Sequence, residues 1–516
     1  MNCPVIDPGA NLTPWDIAAL ARRAARVNLG TETRARLDRS SAALDRMIAR
    51  GDLIYGVTTG FGPLAAHRSP ADQAPVLQRN LIYHLASGVG PPLSPHRVRA
   101  VMAVRLATLC RGHSGVSPGV VDLLATMLNR DILPVVPEKG TVGASGDLTP
   151  LAHMALAMMG EGAVLGPGGT PRNSAAALAD AGLTPLDPAR KDGLALVNGT
   201  AAMTGLAALN HTEMAALLDL QAGLSALDVH ISRAPREAFD PLLADLRPHD
   251  GQKRAFRRLN DLIGPIDPGA TGTVGDGTGA HQAVYSLRCV GQELGAALDV
   301  LRFHLETVST EIASVTDNPV LDPVADRVVH GGNFYGQHVA YASDSLMMAV
   351  VKLAVFAERV IARLTDARRN PGLPPFLTGG QPGITSGFMG AQVTASALVA
   401  EMRAEAVPAS IQSIPTNGDN QDVVTMGTIA ARKVNRMLSM ARQILAIEAM
   451  VIAQAAEMSG ATDRVPAGLA DLVAAIRAHS AALIADRPLS GEIERLAGNL
   501  ESLALPGQPL AGPPDQ

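Results

Sequence analysis

Aromatic side chains are scarce in this 516-residue chain: tryptophan, tyrosine and phenylalanine together make up 3%, with one Trp, five Tyr and eight Phe. A core built on aromatic stacking is therefore excluded, and Ala, Leu, Val and Met must fill the interior. In such a chain a tyrosine set among glycines and polar residues stands out as a functional candidate. Cysteine is also scarce. Cys3, Cys110 and Cys289 are too few for a disulfide framework, and their spacing matches no zinc site, so no metal is expected. Neither sign of charge dominates: 43 basic and 48 acidic residues leave a net charge of −5, which argues against a nucleic-acid coat or a polybasic membrane anchor. The opening Met1-Asn2-Cys3-Pro4 lacks a basic stretch followed by an apolar one, so no signal peptide is expected. No uncharged apolar run reaches bilayer length; the best candidate, Met437 to Met458, is interrupted by Arg442, Glu448 and Glu457. A cytoplasmic location is the expectation.

What is present is a large apolar inventory. Hydrophobic residues are 47% and charged residues 18%, which excludes global disorder and permits a sizeable core. A mean hydropathy of +0.16 suggests extensive buried helix surface, including subunit contacts. Val434, Met437, Leu438, Ala441, Ile444 and Leu445 follow the i, i+3, i+4, i+7 spacing of an amphipathic helix. Stretches 201–230, 292–314, 343–364 and 393–406 read the same way, and long helices with few strands suggest a bundle. Glycine and proline mark loops at 55–62, 132–150, 264–279 and 370–383. Gly269, Gly272, Gly275, Gly277 and Gly279 do not make a nucleotide-binding loop, because no strand precedes them. The expected organisation is a mainly all-α chain. Residues 1–195 form an N-terminal domain, 196–505 a helical bundle, and 506–516 a frayed Pro/Gly-rich tail.

The most informative segment is Gly140-Thr141-Val142-Gly143-Ala144-Ser145-Gly146-Asp147-Leu148-Thr149-Pro150-Leu151-Ala152-His153. Both neighbours of Ser145 are small, and Gly146 lets the backbone bend sharply. The Gly146 nitrogen can then attack the carbonyl of Ala144 and close a five-membered ring, the carbonyl oxygen leaving as a first water. Loss of water from Ser145 leaves an exocyclic alkene. The product is a built-in electrophile, 4-methylideneimidazol-5-one.

This run resembles the signature of the aromatic amino acid ammonia-lyases, the family of histidine, phenylalanine and tyrosine ammonia-lyases and related aminomutases. Similar blocks recur from Tyr55 to Gly427, and the compact length resembles the bacterial members. The resemblance implies an all-α homotetramer with sites built from several subunits, an N-terminal domain carrying the electrophile from Ala144, Ser145 and Gly146, and no exogenous cofactor.

Roles carry over block by block. In Tyr55-Gly56-Val57-Thr58-Thr59-Gly60-Phe61-Gly62, the resemblance makes Tyr55 the base on a loop over the site, with Gly62 beside the substrate. A phenol ordinarily titrates near 10 and must lose its proton to act. Asn198 matches a position that hydrogen-bonds the ring electrophile or substrate. Gln282-Ala283-Val284-Tyr285-Ser286-Leu287-Arg288 places Tyr285 and Arg288 three apart on one helix face. Tyr285 is expected near the electrophile, and Arg288 offers a planar fork for the substrate carboxylate. Ala283 stands where the family commonly has aspartate, and Ala313 departs from the commoner Glu-x-Asn-x-Val-x-Asp-Asn-Pro. Phe334, in His330-Gly331-Gly332-Asn333-Phe334, matches a phenylalanine facing the electrophile. Asn417, Asn420 and Gln421 belong to a late block lining the substrate; histidine-selective members carry glutamate at the position of Gln421.

Selectivity resides in Leu77-Gln78-Arg79-Asn80-Leu81-Ile82-Tyr83-His84-Leu85. His84-Leu85 resembles the tyrosine-selective members, whereas phenylalanine-selective relatives have Phe-Leu and histidases Ser-His. An imidazole can donate to or accept from a phenol, and Leu85 can pack the ring. The expected reaction is non-oxidative deamination of L-tyrosine to trans-p-coumarate and ammonia. The alternatives are a tyrosine 2,3-aminomutase, a phenylalanine ammonia-lyase, and a ligand-binding paralogue without catalysis.

Overall fold

The structure is a computed structural model that describes residues 3–264, 282–370, 372–503 and 505–513. The glycine-rich 264–279 loop lies outside the described residues except for Gly264. The fold is mainly α-helical, and among the described residues strands occur only as two-stranded pairs. The five stretches with helical periodicity are helices Ala201–Ser232, Val290–Ile312, Gln337–Thr365, Met389–Glu405 and Gly427–Met458. Gln337–Thr365 begins six residues before the apolar spacing suggests. Its first turn follows directly on Gly336, a buried glycine against Met203 and Thr200.

Two compact units can be distinguished. The first comprises Met1–Thr212, His304–Asp344 and Pro408–Lys433, and the second Glu213–Phe303, Ser345–Val407 and Val434–Gln516. A single cut near residue 195 therefore differs from the observed grouping. The first unit recruits two later segments, because hydrogen bonds from 198–200 to 316–318 and from 142–143 to 425–426 bind them to the electrophile region.

In the first unit, helix Pro95–Leu109 is apolar around most of its circumference and buried over almost its whole length, as a core helix must be. Three further helices, Ala74–Leu85, Leu148–Met158 and Asp192–Val197, pack on one another. Each buried Leu or Ile at their contacts, such as Ile82, Leu151 and Leu196, contributes about 1.5–3 kcal/mol relative to exposure. The packing of this trio matters for function. Leu148–Met158 begins three residues after Ser145, Asp192–Val197 ends just before Asn198, and Ala74–Leu85 carries His84 and Leu85.

Buried charge ties the Asn198 segment down. The Lys191 ammonium and the Asp317 carboxylate pair at 2.7 Å with both side chains fully buried. Arg105, also fully buried, donates from Nε to the Ala195 carbonyl at 3.0 Å and from Nη1 to the Thr316 carbonyl at 3.4 Å. Burial pushes its guanidinium down to about 10, against the opposing pull of Asp317 and Asp147.

The second unit is a helical assembly with its own apolar core, including Leu224, Leu259, Leu294, Leu353, Ile444 and Leu472. Inside it Gln221 Nε2 donates to Glu448 Oε1 at 2.8 Å, and Arg363 pairs with Asp228. By length and composition alone, Ala201–Ser232 and Gly427–Met458 are long and apolar enough to cross a membrane, which the charge interruptions had argued against. In the fold, 83% of each apolar window is buried within the protein, the position of a core helix.

Candidate active site

The tripeptide Ala144-Ser145-Gly146 is sharply bent. Ser145 has φ +53° and Gly146 φ +78°, two successive left-handed residues. A Cβ at Gly146 would meet the Gly199 carbonyl oxygen at 2.2 Å, so only glycine fits. The bend is held from both sides. The Gly199 N–H donates to the Ser145 carbonyl at 3.3 Å, the Asp147 N–H to the Gly199 carbonyl at 2.7 Å, and the Met426 N–H to the Val142 carbonyl at 2.9 Å. A methyl group before Ser145, no side chain after it and a clamped left-handed turn fit a Gly146 nitrogen turned back on the Ala144 carbonyl. The residues present thus suit the ring electrophile.

Asp147 precedes helix Leu148–Met158 without capping it. Its fully buried carboxylate instead accepts from the Met203 N–H at 2.7 Å and from Thr428 Oγ1. Burial raises its pKa to about 6, although these hydrogen bonds oppose the rise. The sequence signal for Asp147 was its place inside the fourteen-residue run, but nothing local revealed partners 56 and 281 positions away.

A cavity of about 870 Å³ opens over Ala144 and Ser145. Tyr55 and Gly62 line it from the glycine loop, His84 and Leu85 from helix Ala74–Leu85, and Asn198 from the end of Asp192–Val197. Phe334, Asn417, Asn420 and Gln421 line it as well. Leu77, Asn80, Leu81, Leu148 and Tyr335 also line the cavity, though none was singled out from sequence. Alternate turns of the Ala74–Leu85 helix account for most of them, since Leu77, Leu81 and His84 share a face.

Tyr55 is oriented at both ends. Its phenolic oxygen accepts from the Gly62 N–H at 2.8 Å, and its backbone N–H donates to His330 Nε2 at 3.1 Å. Its ring meets Phe61 edge-on, with centroids 6.1 Å apart. Gln78, buried and overlooked in the sequence, links this loop to Asp192–Val197: its amide donates to the Gly56 carbonyl and accepts from the Leu194 N–H, each at 2.8 Å. Asn198 donates from Nδ2 to the Asn318 carbonyl at 2.7 Å, while its buried Oδ1 has no partner among the described residues. That leaves an acceptor in the cavity wall for a donor on substrate or electrophile. Gln421 accepts from Thr416 Oγ1 at 2.8 Å. His84 Nδ1 lies 3.0 Å from the Asn80 carbonyl, which can only accept, so Nδ1 carries the proton.

Tyr285 and Arg288 do not join this group. They lie in the second unit, where Tyr285 is 70% exposed and lines a separate cavity of about 520 Å³ with Glu293, Lys352 and Arg359. The Arg288 guanidinium rests 4.7 Å from the Tyr285 ring centroid. The expected helical face exists, as the short helix Tyr285–Arg288, but within one chain it does not line the Ser145 cavity. Among the described residues, no Lys or Arg lines that cavity. Among the described residues no group of three or more His, Cys, Asp or Glu side chains is placed to hold a metal.

A turn suited to a self-made electrophile under a cavity with a tyrosine on one wall, in a mainly helical fold, defines a lyase-type site. Comparison with known proteins gives the class its family. An aromatic amino acid lyase family model matches residues 12–478. The chain is 47% identical to a tyrosine ammonia-lyase of Cereibacter sphaeroides over 93% of its own length and 94% of the relative. It is 42% identical to a histidine ammonia-lyase of Symbiobacterium thermophilum over 95% and 96% of the two chains. The solved structure of a tyrosine aminomutase from Streptomyces globisporus superposes with a TM-score of 0.91, at 35% identity and 97% coverage of both chains. The chain belongs to the aromatic amino acid lyase family. Its chemistry is that of the methylideneimidazolone electrophile, formed from its own residues, acting on an aromatic amino acid.

Proposed function

We propose that this protein is a tyrosine ammonia-lyase, converting L-tyrosine to trans-p-coumarate and ammonia. The observation that carries the reading is the placement of His84 and Leu85 on the wall of the cavity that holds Ser145 and Tyr55. With Nδ1 protonated against the Asn80 carbonyl, a neutral His84 presents Nε2 as an acceptor. A phenol O–H satisfies that acceptor, and a phenyl ring does not. Leu85 supplies apolar surface to the ring. Gln421 is neutral where histidine-selective relatives carry a carboxylate.

The methylideneimidazolone supplies an electrophile that makes the substrate amine a leaving group. Tyr55, as phenolate, takes the β-proton, its oxygen positioned by the Gly62 N–H. Asn198 Oδ1 accepts from a donor at the reacting end. The substrate carboxylate needs a cation, and no Lys or Arg stands among the described residues of the cavity wall. A homotetramer in which another copy brings Arg288 and Tyr285 to the site meets that need, and the exposed Tyr285, Tyr341 and Phe303 suit such contacts. A cytoplasmic location fits this metabolic role.

The second reading is a tyrosine aminomutase, favoured by the 0.91 TM-score to the Streptomyces globisporus enzyme. It shares the tyrosine ring contacts and differs in re-adding the amine at the β-carbon. Ultraviolet absorbance with L-tyrosine, L-phenylalanine and L-histidine separately, followed by chromatography of amino acids after long incubation, tests both. A rise with tyrosine, absent in Ser145→Ala, is expected. A preference for phenylalanine or histidine overturns the substrate assignment, and accumulation of β-tyrosine favours the aminomutase.

A further inference from the structure

The strand pair Val320–Asp322 and Arg327–Val329 forms a hairpin with no assigned role. It is docked on the segment that leads into the Tyr55 loop. Leu321 is buried with Leu44, Met47, Ile54 and Val57. At the hairpin turn, the Asp326 carboxylate accepts from Arg46 at 2.9 Å and from Arg50 at 2.6 Å, both in the last turns of helix Thr31–Arg50. Tyr55 follows five residues after that helix ends. Immediately beyond the second strand, His330 Nε2 accepts the Tyr55 backbone N–H at 3.1 Å. The next residue, Gly331, donates to Asn318 Oδ1 at 2.8 Å, and the Asn318 carbonyl in turn accepts from Asn198. Three residues further on, Phe334 lines the cavity.

His330 thus stands between the loop of the base and the Asn318 segment that binds Asn198. It is absent from the cavity wall itself and reaches the site through the Tyr55 backbone. The bond at its Nε2 restrains the backbone on which the Tyr55 phenol is mounted, while the Gly62 N–H restrains the phenol oxygen at the other end. An acceptor is required at this point: a ring carrying protons on both nitrogens, or an apolar side chain, cannot take the Tyr55 N–H.

We propose that His330 is a positioning residue that holds Tyr55 in register with the substrate β-carbon through an accepted hydrogen bond from the Tyr55 backbone. This deepens the lyase reading and rests on Tyr55 as the base.

The test compares His330→Phe, which keeps a ring but removes the acceptor, with His330→Gln, whose Oε1 falls near the place of Nε2. His330→Phe is expected to lower kcat on the order of 10- to 100-fold, with KM within about twofold, because a small misplacement of a reacting group costs rate rather than binding. The primary isotope effect from β-deuterated tyrosine should rise in this variant. Amide hydrogen exchange of peptides spanning 51–62 should quicken, while the thermal midpoint stays at that of the wild type. His330→Gln should return kcat and exchange to near wild-type values. Unchanged kcat and exchange in His330→Phe overturn the proposal. So does an equal loss in both variants, which would make ring packing the cause. Tyr55→Phe separates the two levels of argument: full activity in that variant refutes the base assignment, whereas an inactive Tyr55→Phe beside a fully active His330→Phe refutes only the positioning role.

Discussion

Gly199→Ala probes the clamp behind the electrophile. Gly199 has φ +136°, a conformation that L residues rarely adopt, and an added Cβ would lie 2.1 Å from the Thr316 carbonyl oxygen and 2.5 Å from Arg105 Nη1. The first obstacle is backbone, and the second is a guanidinium held by the Ala195 and Thr316 carbonyls. Neither can swing aside as a free side chain does. The backbone strain costs about 1–3 kcal/mol. Forced overpacking adds about 1–3 kcal/mol, for a total of roughly 2–6 kcal/mol. Because Gly199 bonds both the Ser145 carbonyl and the Asp147 N–H, relief of the clash must displace the Ala144-Ser145-Gly146 turn. Two results are expected: a lower thermal midpoint and an intact mass that keeps the two waters normally lost in ring formation. Gly182→Ala is the control. Its φ of +65° carries the strain of a left-handed residue, about 1–2 kcal/mol, but nothing lies within 4 Å of the added methyl. It should lower the midpoint slightly and leave the two-water loss complete. A Gly199→Ala protein with complete dehydration and a midpoint equal to that of Gly182→Ala would refute the clamp.

Two other perturbations follow from the same geometry. His84→Phe removes the acceptor for the phenol and should lower kcat/KM for tyrosine about 10- to 100-fold while raising that for phenylalanine, the order expected when a buried hydroxyl loses its partner at a cost of about 1–3 kcal/mol. Equal tyrosine kinetics in the two proteins would remove His84 from substrate recognition. Glu448 is fully buried, and desolvation raises its carboxyl from 4.5 to about 8. A raised carboxyl pKa makes the folded state bind the proton more tightly than the unfolded one. Its contribution is therefore most favourable below 4.5 and falls as pH rises to about 8. At about 1.4 kcal/mol per pH unit, the whole interval amounts to about 5 kcal/mol. Glu448→Gln keeps the shape and the pairing with Gln221 but removes the titration. Its midpoint should thus gain on that of the wild type as pH rises from 5 to 8. A constant difference across that range would show that Glu448 does not titrate there.

The parts legible in the sequence were those whose chemistry is local. Helix Gly427–Met458 follows from apolar residues spaced at 3.6, and 83% of its apolar window is buried in the fold. The loop around Ser145 follows from small residues in succession. Gln78, Asp147, Lys191 and His330 were passed over because a buried polar side chain has no periodic signature. Its partners lie at sequence separations of 22 to 281 residues. Tyr285 and Arg288 show the opposite case. Their spacing on one helix face was readable, but spacing within four residues carries no information about which cavity that face meets.

By itself, then, the sequence determined that Ala144, Ser145 and Gly146 can close a ring, because the reacting nitrogen and carbonyl are covalent neighbours in one turn. It also determined which side chains were chemically able to serve as base, amide acceptor and ring reader. Only the tertiary structure decided that Tyr55, His84, Asn198, Phe334 and Gln421 share one cavity over Ser145, and that Gly199 leaves no room behind the turn. Those outcomes depend on contacts between segments far apart along the backbone. Such contacts are set by the packing of helix faces and the pairing of buried polar groups, which no local pattern specifies.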